Sequence, residues 1–326
     1  MKITKNELKK MINESVERQL RKTNQHNSRK KTNHQRNNYK WKVDERSNID
    51  YKYFPKNKKE LKQIIQREIK MNGWNCDLNI IDTSKIKDMS RLFYNSNFNG
   101  DISEWDVSNV KYMDYMFNNS IFNRDISKWN VGRVEYMQQM FQTSQFNGNI
   151  SNWNVSKVIN MNYMFMNSIF NQDISKWNVG NVIDMTHMFW RSKFNKNISN
   201  WNVGNVTDMI GMFRESSFNQ DISKWNVGSV VNMRHMFWRS KFNKNIGNWN
   251  VGNVIDMSLM FGYSKFNQDI SNWNVGKVKD MSNMFDSSKF IGDVSNWNIN
   301  KNCNLQNFGI YNIDSYEDFI QYKQEI

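Results

Sequence analysis

The chain of 326 residues contains no alanine, one proline and two cysteines, and it has no long apolar run. A membrane span needs about 18 consecutive apolar residues, so none is predicted. The start, Met1-Lys-Ile-Thr-Lys-Asn-Glu-Leu, lacks the apolar core of a secretory signal peptide. We therefore expect a protein of the cytoplasm, or one that reaches a surface or a virion by a route without a signal peptide.

Motifs that bind metals or carry out catalysis are missing as well. The chain has no Cys-x-x-Cys and no His-x-x-x-His pair, so we predict no zinc site. Aspartates recur at one position of the repeat described below, but Asn149, Asn197 and Asn245 replace them there, which argues against a calcium site. Polar residues are copied along the chain, whereas catalysis needs one unique constellation. We predict a protein that is not an enzyme and binds no cofactor.

What the chain does contain is a strict repeat, marked by nine tryptophans at intervals of 24 residues. They are Trp105, Trp129, Trp153, Trp177, Trp201, Trp225, Trp249, Trp273 and Trp297. With tryptophan as position 0, one unit reads W-N-V-G-N-V-x-x-M-x-x-M-F-x-x-S-x-F-N-x-D-I-S-x. A constant period of this length indicates units that stack on one another. We predict that the tryptophans form a buried structural column. Cys76 and Cys303, at opposite ends of the repeats, are then too far apart to pair.

Two hydrophobic periodicities alternate within the unit. Val158, Met161 and Met164 are spaced as on one face of a short helix. The segment Ile-x-x-Trp-x-Val instead places its apolar side chains on one side of a short strand. The interpretation is an α/β leucine-rich-repeat-like solenoid. It has short stacked parallel strands, one short helix in each 24-residue coil and helical caps at both ends.

The string Phe-Asn-x-Asp-Ile-Ser-x-Trp-Asn-Val-x-x-Val-x-x-Met-x-x-Met-Phe resembles the repeat of the BspA-like leucine-rich-repeat surface proteins of bacteria. The same module occurs in mycoplasma surface proteins, in some protists and in viruses. It covers about residues 74–300 here. The resemblance implies a solenoid linked to surface display, adhesion or partner binding, and it brings no catalytic residues. Surface members typically carry a signal peptide or a lipoprotein cysteine near the start, and this chain shows neither.

Capping boxes and apolar spacing divide the chain outside the repeats. We predict an amphipathic N-terminal helix over residues 1–22, a basic disordered linker over 23–55 and a capping helix over 56–73. The repeat solenoid follows over residues 74–313 with about nine to ten units, and a C-terminal capping helix covers 314–326. Both capping helices are expected to cover the open ends of the stack.

Positive charge is concentrated at the N-terminal end of the chain. The net charge is +14, of which +13 falls within residues 1–70. Residues 21–38 are rich in lysine and arginine and have no apolar residue, a pattern that suits binding to phosphates without sequence selectivity. The candidate nucleic-acid residues of this arm are Arg21, Lys22, Arg29, Lys30, Lys31 and Arg36.

Alternate units resemble each other more than neighbouring units do. The blocks that begin at Phe170 and Phe218 lie two units apart and match almost residue for residue, which recent duplication alone explains. A functional alternative rests on the string Met-Phe-Trp-Arg-Ser-Lys, which occurs in both blocks. Several other units have polar residues at the position of this second tryptophan, namely Asn118, Gln142, Arg214 and Asp286. We therefore expect both tryptophans to be exposed, about 10 Å apart. The candidate binding patch is Trp190, Arg191, Lys193, Trp238, Arg239 and Lys241. His187 and His235 are expected to be solvated.

These observations favour a non-enzymatic interaction or display module, a solenoid that contacts a protein or a surface. The sequence leaves the partner open between protein, glycan and nucleic acid, and it leaves the oligomeric state open. One alternative is association with nucleic acid through the basic arm. Another is a structural role in a larger assembly, such as a virion, to which the N-terminal helix docks.

Overall fold

The computed structural model of the chain describes residues 42–44 and 49–325. The chain divides into two units, Met1–Lys40 and Trp41–Ile326, and the described residues all belong to the second unit. The helix predicted over residues 1–22 lies outside the described residues.

A short hairpin precedes the repeats. Strands β1 (Lys42–Asp44) and β2 (Ile49–Tyr51) pair in antiparallel fashion. The chain then reaches Tyr53, which is buried in the core and forms a parallel bridge to Ile81. The prediction of a disordered linker over 23–55 is therefore wrong for its last residues, because an aromatic side chain there joins the core.

Helix α1 (Lys58–Asn72) follows the hairpin. Asn57 is its N-cap, and the side-chain oxygen of this residue accepts a hydrogen bond of 3.0 Å from the backbone N–H of Glu60. Gly73 ends the helix at a φ of 84°, a backbone conformation that glycine adopts at little cost. The side chain of Leu61 is fully buried in the same core as the repeats, so α1 covers apolar surface of that core.

Helix α2 (Tyr316–Glu325) follows the last unit. Ser315 and Asp318 cap its start reciprocally, since the hydroxyl of Ser315 accepts the backbone N–H of Asp318 while the carboxylate accepts the backbone N–H of Ser315. Phe319 is buried in the core. Within the described residues, neither this helix nor α1 has the length and apolar character to cross a membrane.

Between these helices the chain adopts nearly the same conformation in every unit. All nine repeat tryptophans are buried, with exposed fractions of 0–4%. Neighbouring rings lie nearly parallel, and the centres of Trp105 and Trp129 are 6.4 Å apart. Each indole N–H also donates to a backbone carbonyl 27 residues earlier in the chain; the bond from Trp201 to Ile174 measures 3.0 Å. The tryptophan column therefore combines apolar burial with a satisfied hydrogen bond.

Polar side chains complete the stack in ladders of their own. The amide oxygen of Asn147 accepts the backbone N–H of Asn171 in the next unit, 2.9 Å away. The Asp173 carboxylate accepts the backbone N–H of Ser175 over 2.8 Å. The hydrogen bonds from Ser175 lower the pKa of Asp173. The aspartate column thus stabilises turns within each unit.

The helix predicted in each coil is not found in the described repeats. Tyr163 and Asn167 have left-handed backbone conformations, with φ of 55° and 51°, and equivalent residues of the other units do the same. Alternate N–H groups donate to the next unit rather than to their own turn, as Met161 does to the carbonyl of Asp184 over 3.1 Å. A helix would satisfy these groups internally. Here they join one unit to the next.

The parallel pairing also lies elsewhere than predicted. Single-residue parallel bridges connect successive units, for example Asp184 with Asp208. The segment predicted as the strand forms a turn instead, in which the backbone N–H of Trp177 donates to the carbonyl of Ile174 over 3.1 Å. The ladder thus begins in the part of the unit where the apolar spacing predicts a helix. Consecutive turns of three residues give apolar side chains the same spacing as a helix does.

Candidate interaction surface

One surface of the units changes strongly in chemistry from unit to unit. It consists of positions 10, 13 and 14 of each unit, counted from the tryptophan, and we call it the turn face. Position 13 in particular changes from unit to unit: Tyr94, Asn118, Gln142, Met166, Trp190, Arg214, Trp238, Gly262 and Asp286. Position 1, by contrast, is asparagine or aspartate throughout, and position 22 is serine or glycine. The turn face therefore has a chemical variety that the surface at positions 1 and 22 lacks.

Arg214 lies between the two tryptophans of the candidate patch. Its guanidinium carbon is 4.7 Å from the centre of the Trp190 ring and 4.5 Å from the centre of the Trp238 ring. The ring quadrupole attracts a cation at this distance. We call these three stacked side chains the Trp–Arg ladder. The sequence prediction missed Arg214, although its place one unit from each tryptophan could have revealed it.

Both ladder tryptophans are half-buried, so the prediction of two exposed rings is wrong. Burial follows from stacking, because Arg214 packs against both rings. The flanking cations of the predicted patch are all exposed, namely Arg191, Lys193, Arg239 and Lys241. The guanidinium carbons of Arg191 and Arg239 lie 5.5 and 4.4 Å from the ring centres of Trp190 and Trp238. The patch therefore presents two arginines held against aromatic rings and two exposed lysines, rather than free ring faces.

We call Trp190, Arg191 and Lys193 the first half of the patch, and Trp238, Arg239 and Lys241 the second half. The carboxylate of Glu215 accepts hydrogen bonds from two side chains of the first half. Nε1 of Trp190 donates to Oε1 of Glu215 over 3.3 Å, and Nε of Arg191 donates to Oε2 over 2.8 Å. Nε of Arg214 lies 3.5 Å from Oε1. Burial raises the pKa of Glu215, but these hydrogen bonds and positive charges outweigh burial, and the pKa is lowered. Glu215 is therefore ionised at neutral pH.

The second half of the patch also has a tryptophan followed by an arginine, but the side chains around them differ from those of the first half. Tyr263 stands where Glu215 stands in the first half. The guanidinium carbon of Arg239 is 4.4 Å from the centre of the Trp238 ring and 5.0 Å from that of Tyr263. Nε1 of Trp238 is buried and has no hydrogen-bond partner in the part of the chain that the structure describes.

His187 and His235 lie beside the ladder and are half-buried, so the expectation that they are solvated is wrong. The His187 ring stacks on Tyr163 with centres 4.9 Å apart. It also lies against Gly211, where a β-carbon would be 2.6 Å from the imidazole. Burial, followed by the charge of Arg214, lowers the pKa of both histidines to about 4. Both rings are neutral at pH 7.

The two cysteines are buried and free. Burial raises the pKa of the Cys303 thiol to about 12, so this thiol is protonated at neutral pH and a poor nucleophile. Within residues 49–325, no group of three or more histidines, cysteines, aspartates or glutamates is placed to hold a metal ion.

The basic residues of the predicted nucleic-acid arm, from Arg21 to Arg36, lie outside the described residues. Association with nucleic acid through this arm therefore stays a prediction from the sequence. The same holds for docking of the N-terminal helix to a larger assembly.

The repeats also define the family of the protein. The family described as "Mycoplasma protein of unknown function, DUF285" matches the chain over residues 59–169, 142–216, 166–262 and 216–317. These overlapping matches cover more than half of the chain, which therefore belongs to this family of tandem-repeat proteins. Comparison with curated proteins and with solved structures gives no match.

Proposed function

We propose that the chain is a non-enzymatic, leucine-rich-repeat-like solenoid that binds a partner protein through its turn face. The Trp–Arg ladder is the observation that carries this proposal. It holds one arginine between two tryptophans at a position whose residue changes from unit to unit. The resemblance to BspA-like surface proteins supports a role in display or adhesion.

The composition of the patch favours a protein partner with acidic groups. Tryptophan and arginine are the residues most enriched at binding hot spots. Stacking holds Arg214 and Arg239 against aromatic rings, so these side chains lose less conformational freedom on binding than free arginines would. Glu215 offsets part of the positive charge of the first half, and the cations of the second half remain available to acidic side chains.

Two matched charge reversals test the proposal. One variant carries Arg191→Glu and Arg239→Glu on the turn face. The control carries Lys176→Glu and Lys224→Glu, which change two exposed cations with the same two-unit separation on a repeated surface. A partner is captured by the full chain from nuclease-treated lysate of the source organism, identified, purified and titrated calorimetrically against each variant.

We expect the turn-face variant to bind the partner at least about tenfold more weakly, with the control unchanged. Equal losses in both variants would indicate general attraction between opposite charges and contradict the proposal. Capture that requires nucleic acid, and that disappears when residues 1–40 are removed, would assign the function to the basic arm instead.

A further inference from the structure

The two halves of the patch differ at one position in a way that changes their chemistry. In the first half an indole N–H and an arginine hold the carboxylate of Glu215 through hydrogen bonds of 3.3 and 2.8 Å. In the second half the same donors recur two units further on as Trp238 and Arg239. Tyr263 replaces the glutamate there, and a phenol ring cannot accept from both donors as a carboxylate does.

The donors of the second half are left with unmet hydrogen-bonding capacity. Nε1 of Trp238 is buried with no acceptor among the described residues. Arg239 rests on the rings of Trp238 and Tyr263, and no carboxylate of the described chain pairs with it. A buried N–H without an acceptor is unfavourable. A ligand that brings an acceptor would therefore form a hydrogen bond with Nε1 without displacing an existing one.

We propose that Trp238 and Arg239 form a binding site for a carboxylate supplied by an acidic peptide segment of the partner. The inference rests on the proposed function, because it names the chemical group that the turn face recognises. The Glu215 site is its template. That site shows that this backbone presents an indole N–H and an arginine to one carboxylate, reached from position 14 of the following unit.

Access to Nε1 of Trp238 depends on the side chains at the surface. Gly262 lies close against the indole, where a β-carbon would be 3.1 Å from Cδ1 and 3.4 Å from Nε1, so the following unit has no side chain at position 13 that covers the ring. Arg239 and Tyr263 are exposed and can move away from the ring as a ligand enters. The guanidinium of Arg214, 4.5 Å from the ring centre, adds a second positive charge that favours an anion.

The indole N–H resonance of Trp238 reports occupancy of the site directly. Nitrogen-15-labelled full-length protein is used, and Trp238→Phe assigns the resonance. Tetraglutamate is the probe, with tetraglutamine as its uncharged match and inorganic sulfate and a glucuronate oligomer as other anions. We expect tetraglutamate to move the Trp238 indole proton downfield and tetraglutamine to leave it in place. Arg239→Gln should weaken tetraglutamate binding by about tenfold.

The decisive variant places a carboxylate of the protein itself in the site. Tyr263→Glu should shift the Trp238 resonance downfield without any peptide and should abolish tetraglutamate binding, because the new side chain occupies the site. Tyr263→Gln, which lacks the charge, should leave binding intact. A wild-type resonance position in Tyr263→Glu, or undiminished tetraglutamate binding by it, would overturn the assignment. Equal affinity for sulfate would overturn selectivity for carboxylates, and binding of glucuronate alone would overturn the peptide as its source.

Failure of this inference is distinguishable from failure of the proposed function. If the Arg191→Glu and Arg239→Glu variant loses its partner while tetraglutamate leaves Trp238 unaffected, the turn face binds the partner without a carboxylate site. If tetraglutamate binds at Trp238 but that variant keeps its partner, the carboxylate site exists and the partner docks elsewhere.

Discussion

The guanidinium carbon of Arg214 lies 4.5 Å from the centre of the Trp238 ring, across the boundary between two units. Its position-13 neighbour on the other side is Trp190, whose ring centre is 4.7 Å away. Side chains that are one full unit apart in the chain are thus direct neighbours on the turn face. A substitution at position 13 of one unit therefore alters the contacts made by the side chain at position 13 of the next unit.

Replacement of Arg214 separates its charge from its shape. Arg214→Gln, which copies the residue of Gln142 at the same position, should destabilise the protein by about 1–2 kcal/mol through loss of two cation–π contacts. It should also raise the pKa of His187 and His235, because the charge of Arg214 lowers both. Chemical denaturation and an NMR titration of the imidazole protons measure the two effects.

Arg214→Lys is the matched control, since it keeps the charge and loses the planar stacking group. It should lower stability while the pKa values of the two histidines stay near those of the wild type. Unchanged histidine pKa values in Arg214→Gln would contradict the geometry of the ladder.

The neutral histidines make stability depend on pH. His187 and His235 have a pKa of about 4 in the folded protein, below the value of about 6.5 expected in the unfolded chain. Between these values the unfolded state binds more protons, so stability is full above about pH 6.5 and falls as the pH drops towards about 4. The melting temperature measured across this range should show the loss.

Replacement of both histidines by glutamine, the residue at position 10 in Gln139, should remove this pH step. Carboxylates with a lowered pKa, such as Asp173, should still destabilise the double variant below about pH 4 as they become protonated. A double variant that melts with the same pH dependence as the wild type above that point would contradict the histidine assignment.

The tryptophan column can be tested for packing and hydrogen bonding separately. Trp201→Ala should cost about 3–5 kcal/mol, because it leaves a large cavity in the stack. Trp201→Phe retains a ring but removes the indole donor, while the carbonyl of Ile174 keeps its hydrogen bond from the backbone N–H of Trp177, so the lost bond should cost about 0.5–1.5 kcal/mol. Urea denaturation gives both values. A cost near zero for Trp201→Ala would show that the column does not support the fold.

One turn residue is unsuited to its backbone conformation. Thr143 has a φ of 53°, a left-handed conformation that β-branched residues adopt only with strain. Asn119 and Asn167 occupy the same position in the neighbouring units. Thr143→Asn should therefore stabilise the protein by about 1 kcal/mol, seen as a higher melting temperature. A lower melting temperature would mean that the threonine makes contacts that outweigh its strain.

The sequence predicts which residues form the core of each unit, but it does not predict the backbone conformation of the unit. The strict period places every tryptophan in one environment, so burial at one site implies burial at all. The three-residue spacing of Val158, Met161 and Met164 fits a helix, but it also fits consecutive turns. What separates the two is the sign of φ at Tyr163 and Asn167, and neither side chain determines that sign.

The candidate site was predicted in part, for a related reason. Trp190 and Trp238 stand out because they break the pattern of the repeat. A polar residue at position 13, such as Arg214, indicates an exposed position, yet Arg214 is the residue that packs against both rings and buries them. Side chains at one position of successive units contact each other directly, which follows from the stacking of the units and not from the spacing of residues in the sequence. For the same reason, the sequence does not predict that His187 and His235 are half-buried.

Removal of one whole unit tests most directly whether each unit depends only on its neighbours. Deletion of residues 129–152 joins Lys128 to Trp153 and keeps the repeat in register. Thermal unfolding followed by tryptophan fluorescence should show a folded protein with buried tryptophans, one cooperative transition and a modestly lower melting temperature. Exposed tryptophan emission and loss of the cooperative transition after this single deletion would contradict the stacked arrangement on which the turn face is built.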